Sequence, residues 1–335
     1  MSEQQRSLQA EPSVAAAERG DAIPGVKPQT PIAHLQIVLK AMRPRQWSKN
    51  VIVFMALVFS IDDKWQLTEP STWLDLLGWS VVTFVLLCLI SSADYLVNDV
   101  IDRESDRQHP TKRNRPIAAG LLSVRAALVW AVILAAVAIG GAFALSAPLT
   151  WQVGAVISGY LVLMLAYTFV LKHIVLIDML VIGAGFVLRA LAGGLAIDVP
   201  ISPWLYVVTA LGALFLIINK RRAEITLLDS GAANHRPILE EYSLALLDQI
   251  GALVTASTLI AYGLYTFTAE NLPDNNAMML TIPFVLYGLL RYLYLVDRHK
   301  EGGSPEEVLL KDRPLQIDIL LWLATAAAVL VVFRD

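Results

Sequence analysis

Charge is scarce in this chain. Asp, Glu, Lys and Arg make up 16% of its 335 residues and hydrophobic residues 56%, where soluble domains carry about 25% and about 45–50%. With a mean hydropathy of +0.58, this balance excludes an ordinary water-soluble domain. Cysteine is nearly absent: the lone Cys88 cannot form an internal disulfide, so no disulfide framework exists, and it reads as a small apolar residue within an apolar run. The five histidines (His34, His109, His173, His235 and His299) are scattered, without the spacing a zinc site needs. No long β-like alternation occurs. The glycines Gly183, Gly185, Gly193 and Gly194 follow no strand, which excludes a dinucleotide-binding loop and points to close helix packing. Nothing suggests a nucleic-acid partner. Residues 1–32 are polar and aperiodic and lack the apolar core of a signal peptide; they are expected to be a disordered cytoplasmic tail.

What the chain has in quantity is long apolar runs. Nine candidate spans occur, at about 48–62, 76–100, 121–145, 150–171, 174–196, 203–220, 244–268, 279–297 and 314–333. The first is short, and is expected to be broken or tilted. Backbone groups in hydrocarbon must bond within their own segment. The fold expected is therefore all-α: a polytopic membrane bundle of about nine transmembrane helices over residues 33–335. Trp47, Trp65, Trp73, Trp79, Trp151 and Trp204 lie near span ends, as interface belts do.

Lys and Arg set the orientation. Nineteen lie near the N-terminal side and its equivalent loops, against only Lys64 and Arg334 on the other side. The N-terminus and polar loops should face the cytoplasm across the plasma membrane, and the C-terminus the outside. The outward loops, 146–150 and 197–203, are short and nearly uncharged, so chemistry on a charged substrate is expected on the cytoplasmic face. Arg189 and Arg291 lie inside spans. A buried Arg normally faces the bundle interior or a polar cavity, which favours a substrate-cavity role for Arg189.

The second span ends in an acidic run. At about 100° per residue, Asn98, Asp102, Asp106 and Asp99 fall within one face if the helix continues. Three carboxylates on one stripe repel unless a cation sits among them, and they do not persist at a bilayer boundary without water, a partner or a metal. Hard oxygen ligands select Mg²⁺ or a similar ion. Mg²⁺ usually keeps several waters and takes one or two carboxylates plus substrate phosphates. Asp99, Asp102 and Asp106 are therefore the candidate metal ligands and catalytic carboxylates. Lys112, Arg113 and Arg115 follow within a short loop; Arg binds phosphate bidentately and Lys as a point charge.

This pattern, Asn98-Asp99-x-x-Asp102-x-x-x-Asp106 followed by His109-Pro110-Thr111-Lys112-Arg113-x-Arg115-Pro116-Ile117-Ala118-Ala119-Gly120, resembles the UbiA superfamily of intramembrane prenyltransferases. The likeness runs from Arg43 onward. It takes in Arg43-Pro44-Arg45-Gln46-Trp47-x-Lys49-Asn50, Leu188-Arg189-Ala190-x-Ala192-Gly193-Gly194, Lys220-Arg221-x-Ala223-Glu224 and Asp312-Arg313-x-Leu315-Gln316. Within the superfamily it is nearest to the phosphoribosyltransferases of mycobacteria and corynebacteria. That resemblance implies transfer of 5-phosphoribosyl from 5-phosphoribosyl 1-diphosphate to polyprenyl (decaprenyl) phosphate, with Mg²⁺, for cell-wall arabinan synthesis. It also implies substrate-binding roles for Lys49, Asn98, Tyr167, Lys172, Lys220, Arg221 and Glu224.

One departure supports that branch. Other UbiA enzymes carry a second acidic motif after the sixth span, where this chain has Asn219-Lys220-Arg221-Arg222-Ala223-Glu224. A basic segment suits a lipid monophosphate or a sugar 5-phosphate, whereas an aromatic or haem prenyltransferase would be expected to keep the acid. A transporter would be expected to show internal repeats, and no clear repeat is seen. Gly-rich faces would allow a homo-oligomer, with no interface evident.

Overall fold

The computed structural model describes residues 30–333 except 67, 110, 145–149, 201, 230–236, 270–271, 300–307 and 310. The expected tail therefore lies outside the described residues up to residue 29, as do most of the outward loop 146–150 and the cations Arg236, Lys300 and Arg334. The first helix, α1 (Pro31–Ala41), starts where the Thr30 hydroxyl accepts the Ala33 N–H, just before the end of the expected tail. After it come a 3-10 stretch, Pro44–Phe54, and the short α2 (Met55–Phe59). Then follow α3 (Pro70–Ile101), α4 (Arg103–Gln108), α5 (Val124–Ala144), α6 (Thr150–Phe169), α7 (Ile177–Ala196), α8 (Pro203–Asp229), α9 (Leu244–Thr268), α10 (Ile282–His299) and α11 (Arg313–Phe333).

Among the described residues eight helices are long and apolar enough to cross a membrane, and they correspond to the second through ninth expected spans. The chain is an integral membrane protein. The expected first span is not a regular helix: its residues form the 3-10 stretch and α2. Even so, the segment runs from one end of the bundle to the other. Arg43 at its start pairs with Asp99 at the end of α3, and Lys64 beyond it lies 3.6 Å from Asp198 at the far end of α7.

In a 3-10 helix, residues three apart eclipse one another. Trp47, Asn50 and Val53 therefore line one edge. Trp47 Nε1 donates to Ser92 Oγ (3.1 Å), Asn50 Nδ2 to Cys88 Sγ (3.3 Å), and the Val53 backbone lies so close to Gly193 that a Cβ there would overlap it. The edge thus packs into the groove between α3 and α7, and Gly193 is small for that reason. These two helices form the centre: 50% and 56% of their apolar stretches are buried, against 22–33% in the other spans. The outer faces carry exposed Val129, Val132, Val162, Leu253, Ile260, Leu290 and Leu320, the surface that hydrocarbon would cover.

The end of the bundle that holds Asp99 is tied by charge. Arg222 of α8 bonds Asp248 of α9 (2.6 Å) and approaches Asp297 of α10 (3.9 Å). Arg291, read from the sequence as a charge within a span, pairs with Asp312 (2.7 Å) before α11.

Candidate active site

With its 32 residues α3 is about 48 Å long. That exceeds the roughly 30 Å hydrocarbon core, so its last turns emerge at the charged end. α3 closes at Ile101, and α4 resumes at Arg103 after a single non-helical residue, Asp102. The i→i−4 bonding nevertheless continues, with Asp102 N donating to Asn98 O (2.9 Å) and Asp106 N to Asp102 O (2.7 Å). The helical turn thus carries across the break, which keeps the four side chains on the same end of α3 and α4.

Cations from three other segments meet this stripe. Arg43 donates to Asp99 Oδ1. Arg115 Nη1 reaches both Asp99 Oδ1 (3.1 Å) and Asp106 Oδ2 (2.6 Å). Lys172, in the 3-10 turn after α6, places Nζ 2.7 Å from Asp102 Oδ1. The amide of Asn98 donates to Asp102 Oδ2 (3.1 Å), and the Thr168 hydroxyl lies 3.5 Å from Asn98 Oδ1. Asp99 is 1% exposed, and its Oδ2 is buried with no hydrogen-bond partner among the described residues.

The basic loop is built on a turn. His109 Nδ1 accepts the backbone N–H of Thr111 (3.2 Å) and of Lys112 (3.3 Å). Burial, and then the neighbouring Lys112 charge, hold this imidazole below its usual range, which preserves the neutral acceptor. His109 has the turn role, and so presents Lys112 (half-buried), Arg113 (exposed) and Arg115 beside the carboxylates.

Deeper in the bundle the polar character continues. Arg189, 5% exposed, gives Nε to Asn50 Oδ1 (2.7 Å) and Nη2 to the Tyr160 hydroxyl (2.6 Å), with its guanidinium over the Tyr160 and Phe186 rings. It bonds neutral groups rather than a carboxylate. Asp94, one turn of α3 before Asn98, is buried with Oδ1 unpartnered among the described residues.

Among the described residues no three Asp, Glu, His or Cys side chains form a ready-made metal cage. The donor chemistry still fits Mg²⁺. Asp99, Asp102 and Asp106 supply hard oxygens at one helix end, the buried Asp99 Oδ2 has an open coordination valence, and Mg²⁺ needs only one or two carboxylates beside phosphate and water.

Residues 65–309 match the UbiA prenyltransferase family. The chain belongs to that family. It is similar to the decaprenyl-phosphate phosphoribosyltransferase of Mycobacterium tuberculosis, 38% identical over 291 residues, covering 87% of this chain and 93% of that one. It is also similar to the protein of the same name from Corynebacterium glutamicum, 37% identical over 321 residues, with 95% and 92% covered. Among solved structures, a UbiA homolog from Archaeoglobus fulgidus bound to GPP and Mg²⁺ shares the fold. Its TM-score is 0.64 at 18% identity, and the match covers 88% of this chain and 100% of that one.

In this UbiA-family enzyme Arg115 joins Asp99 and Asp106, and Asp102 joins Asn98 and Lys172, with Lys112 and Arg113 in the adjoining turn. Lys49 is half-buried on the 3-10 stretch beside Asn50, and Lys220 half-buried on α8. Tyr167 packs half-buried against the core around α6 and α7 and lies near Arg221.

Arg221 sits differently from expectation. It is 1% exposed, with Nε 3.1 Å from Asp178 Oδ2 and Nη1 2.7 Å from Glu224 Oε2. Asp178 Oδ1 also accepts the Tyr242 hydroxyl (2.7 Å), which in turn accepts the Leu176 N–H (2.6 Å). Two carboxylates therefore hold this guanidinium; its Nη2 alone is buried without a partner among the described residues.

Reading the sequence by site missed Arg43, Thr168, Asn50, Tyr160 and Asp94. Three of these had a signal: Arg43 opens and Asn50 closes one of the family-like motifs, and Asp94 is a carboxylate inside a span, in the same i, i+4 series as Asn98 and Asp102.

Proposed function

We propose that this enzyme transfers 5-phosphoribosyl from 5-phosphoribosyl 1-diphosphate to decaprenyl phosphate or a similar polyprenyl phosphate, releasing diphosphate. The reaction is Mg²⁺-dependent and lies at the cytoplasmic face of the plasma membrane, with residues 1–32 as a cytoplasmic tail and the C-terminus outside. The product supplies arabinan of the cell wall. The observation that carries the proposal is the interleaving of Asp99, Asp102 and Asp106 with Arg43, Arg115 and Lys172: one group suits a metal, the other phosphate oxygens. Relatives of this name, matching along nearly their full length, support the choice of donor and acceptor.

Asp99, Asp102 and Asp106 would hold Mg²⁺, which when bound supplies Lewis-acid neutralisation of the leaving diphosphate. Arg43, Arg115 and Lys172 exchange carboxylate for phosphate partners as the donor enters, a change of like for like in charge-assisted bonds. Lys112 and Arg113 guard the cytoplasmic rim, and Lys49 and Lys220 supply further charge for the 5-phosphate and the lipid phosphate. With both substrates so held, an oxygen of the lipid phosphate attacks C1 as the C1–O bond to diphosphate breaks. The electron pair leaves on diphosphate, and C1 passes through an oxocarbenium-like state. The attacking phosphate is already anionic near neutral pH, so no side chain need take a proton. Positioning supplies much of the rate. A cavity of about 390 Å³, with Ile52, Phe186, Phe215 and Trp322 in its wall, offers apolar surface beside Arg189 for the lipid tail.

The test incubates purified enzyme with labelled 5-phosphoribosyl 1-diphosphate, decaprenyl phosphate and Mg²⁺. Label in the lipid phase, lost on chelation and restored by Mg²⁺, is expected. Activity only with a prenyl diphosphate and an aromatic acceptor, or full activity after thorough chelation, would refute the proposal.

A further inference from the structure

We infer that Asp94 selects the donor: its carboxylate accepts hydrogen bonds from the hydroxyls of the ribosyl ring and so excludes prenyl diphosphates. The inference rests on the phosphoribosyl donor proposed above and names the residue that enforces it.

Asp94 is 7% exposed. It lies on α3 four residues before Asn98, about 6 Å deeper along the axis, on the stripe that continues through Asn98 to Asp102. Its neighbours Arg43, Lys172 and Thr168 are the side chains that reach Asp99, Asp102 and Asn98, so the carboxylate faces the same space as the proposed diphosphate site. Each nearby cation bonds elsewhere: Arg43 to Asp99, Lys172 to Asp102, Arg189 to Asn50 and Tyr160. Asp94 forms no ion pair among the described residues; Thr168 is its hydrogen-bonding neighbour, and its Oδ1 is buried without a partner.

A carboxylate that served only the bundle would be matched, because an uncompensated buried acceptor is costly. Asp94 Oδ1 remains an open acceptor one helical turn below the diphosphate site, at the depth a ring attached to that diphosphate would occupy. Vicinal hydroxyls offer it two O–H donors. An isoprenoid chain offers none and would press hydrocarbon onto a buried anion, at a cost in desolvation. Sites built to bond a substrate hydroxyl reject the analogue that lacks it far more strongly than apolar pockets reject a size change. Beneath Asp94, Arg189, Asn50 and Tyr160 extend the same polar floor, where a prenyl donor would need apolar walls.

The experiment compares kcat/KM for 5-phosphoribosyl 1-diphosphate with its 2-deoxy and 3-deoxy analogues, in the wild type, Asp94→Ala and Asp94→Asn. In the wild type, removal of at least one hydroxyl is expected to lower kcat/KM about 10- to 150-fold, the range for a hydrogen bond to a charged group. In Asp94→Ala the donors should converge to within about threefold, with Asp94→Asn between. A wild type indifferent to both hydroxyls overturns the inference even if neither variant folds. So does an Asp94→Ala enzyme that keeps the full discrimination, or one in which only the Mg²⁺ requirement has moved. Absence of any transfer from the natural donor is a different failure: it removes the proposed function itself, and the inference with it.

Discussion

Arg115→Lys separates a site that reads phosphate geometry from one that merely needs positive charge near a membrane. The substitution keeps the charge and much of the length. It removes the planar guanidinium whose Nη1 meets Asp99 (3.1 Å) and Asp106 (2.6 Å) together. An ammonium can bridge the same two carboxylate oxygens with two of its three N–H groups, but it cannot meet a phosphate with a planar pair of them. The loss is then one charge-assisted hydrogen bond, about 1.5–3 kcal/mol, which at about 1.4 kcal/mol per decade is roughly 10- to 150-fold in kcat/KM. The side chain is about one-quarter exposed, so the lower half of that range is the better expectation. The assay is transfer of labelled donor into lipid, with a Mg²⁺ titration to follow metal affinity and thermal unfolding in detergent as the control for folding. If Arg115→Lys stays within about twofold of wild type at every Mg²⁺ concentration, Arg115 is a topology-setting cation and the proposed role in the site is wrong.

Asp102→Asn, which removes a proposed metal ligand and the partner of Lys172, should lower kcat at least about 100-fold, given the several kcal/mol that metal-assisted neutralisation supplies. Its unfolding temperature in detergent should stay near that of the wild type, since Asp102 is one-quarter exposed. Asp178→Asn should do the reverse: it strips a fully buried Arg221 of one carboxylate, so a loss of about 3–5 kcal/mol in stability, measured by unfolding in detergent, should dominate. Tyr242 lies outside the spans; burial, reinforced by its bond to Asp178, pushes its hydroxyl up to about 12 from the usual 10. Because the folded value is the higher one, its contribution to stability is complete below pH 10 and disappears as pH rises through 12. Tyr242→Phe should therefore flatten part of the alkaline fall in unfolding temperature seen for the wild type.

Much of this was legible in the sequence, for definable reasons. A run of about 20 apolar residues has few fates other than a span, and the eight regular spans follow from that alone. The acidic stripe was legible because i, i+4 spacing is a local property of one helix. Its partners were not, because Arg43 and Lys172 come from 56 and 70 residues away in the chain, and no local pattern encodes which cation meets which carboxylate. For the same reason Arg221 looked like a phosphate ligand: the basic run Lys220-Arg221-Arg222 is visible in sequence, but its buried partner Asp178, 43 residues away, is not. The first span was short because it obeys a period of three, and a search at 3.6 residues per turn divides Trp47, Asn50 and Val53 among different faces.

That irregular first segment also solves a problem of reach. An 11-residue 3-10 stretch rises about 2.0 Å per residue and extends about 22 Å, and the five residues of α2 add about 7 Å. Sixteen residues so wound approach the thickness of the hydrocarbon core, whereas the same sixteen as regular α-helix would stop about 6 Å short of it. Rewinding this segment as an ordinary α-helix would shorten it, and so draw Arg43 away from Asp99 or pull Lys64 into the bilayer. The winding of the segment thus acts as a spacer, setting how far apart the two charged ends of the protein stand.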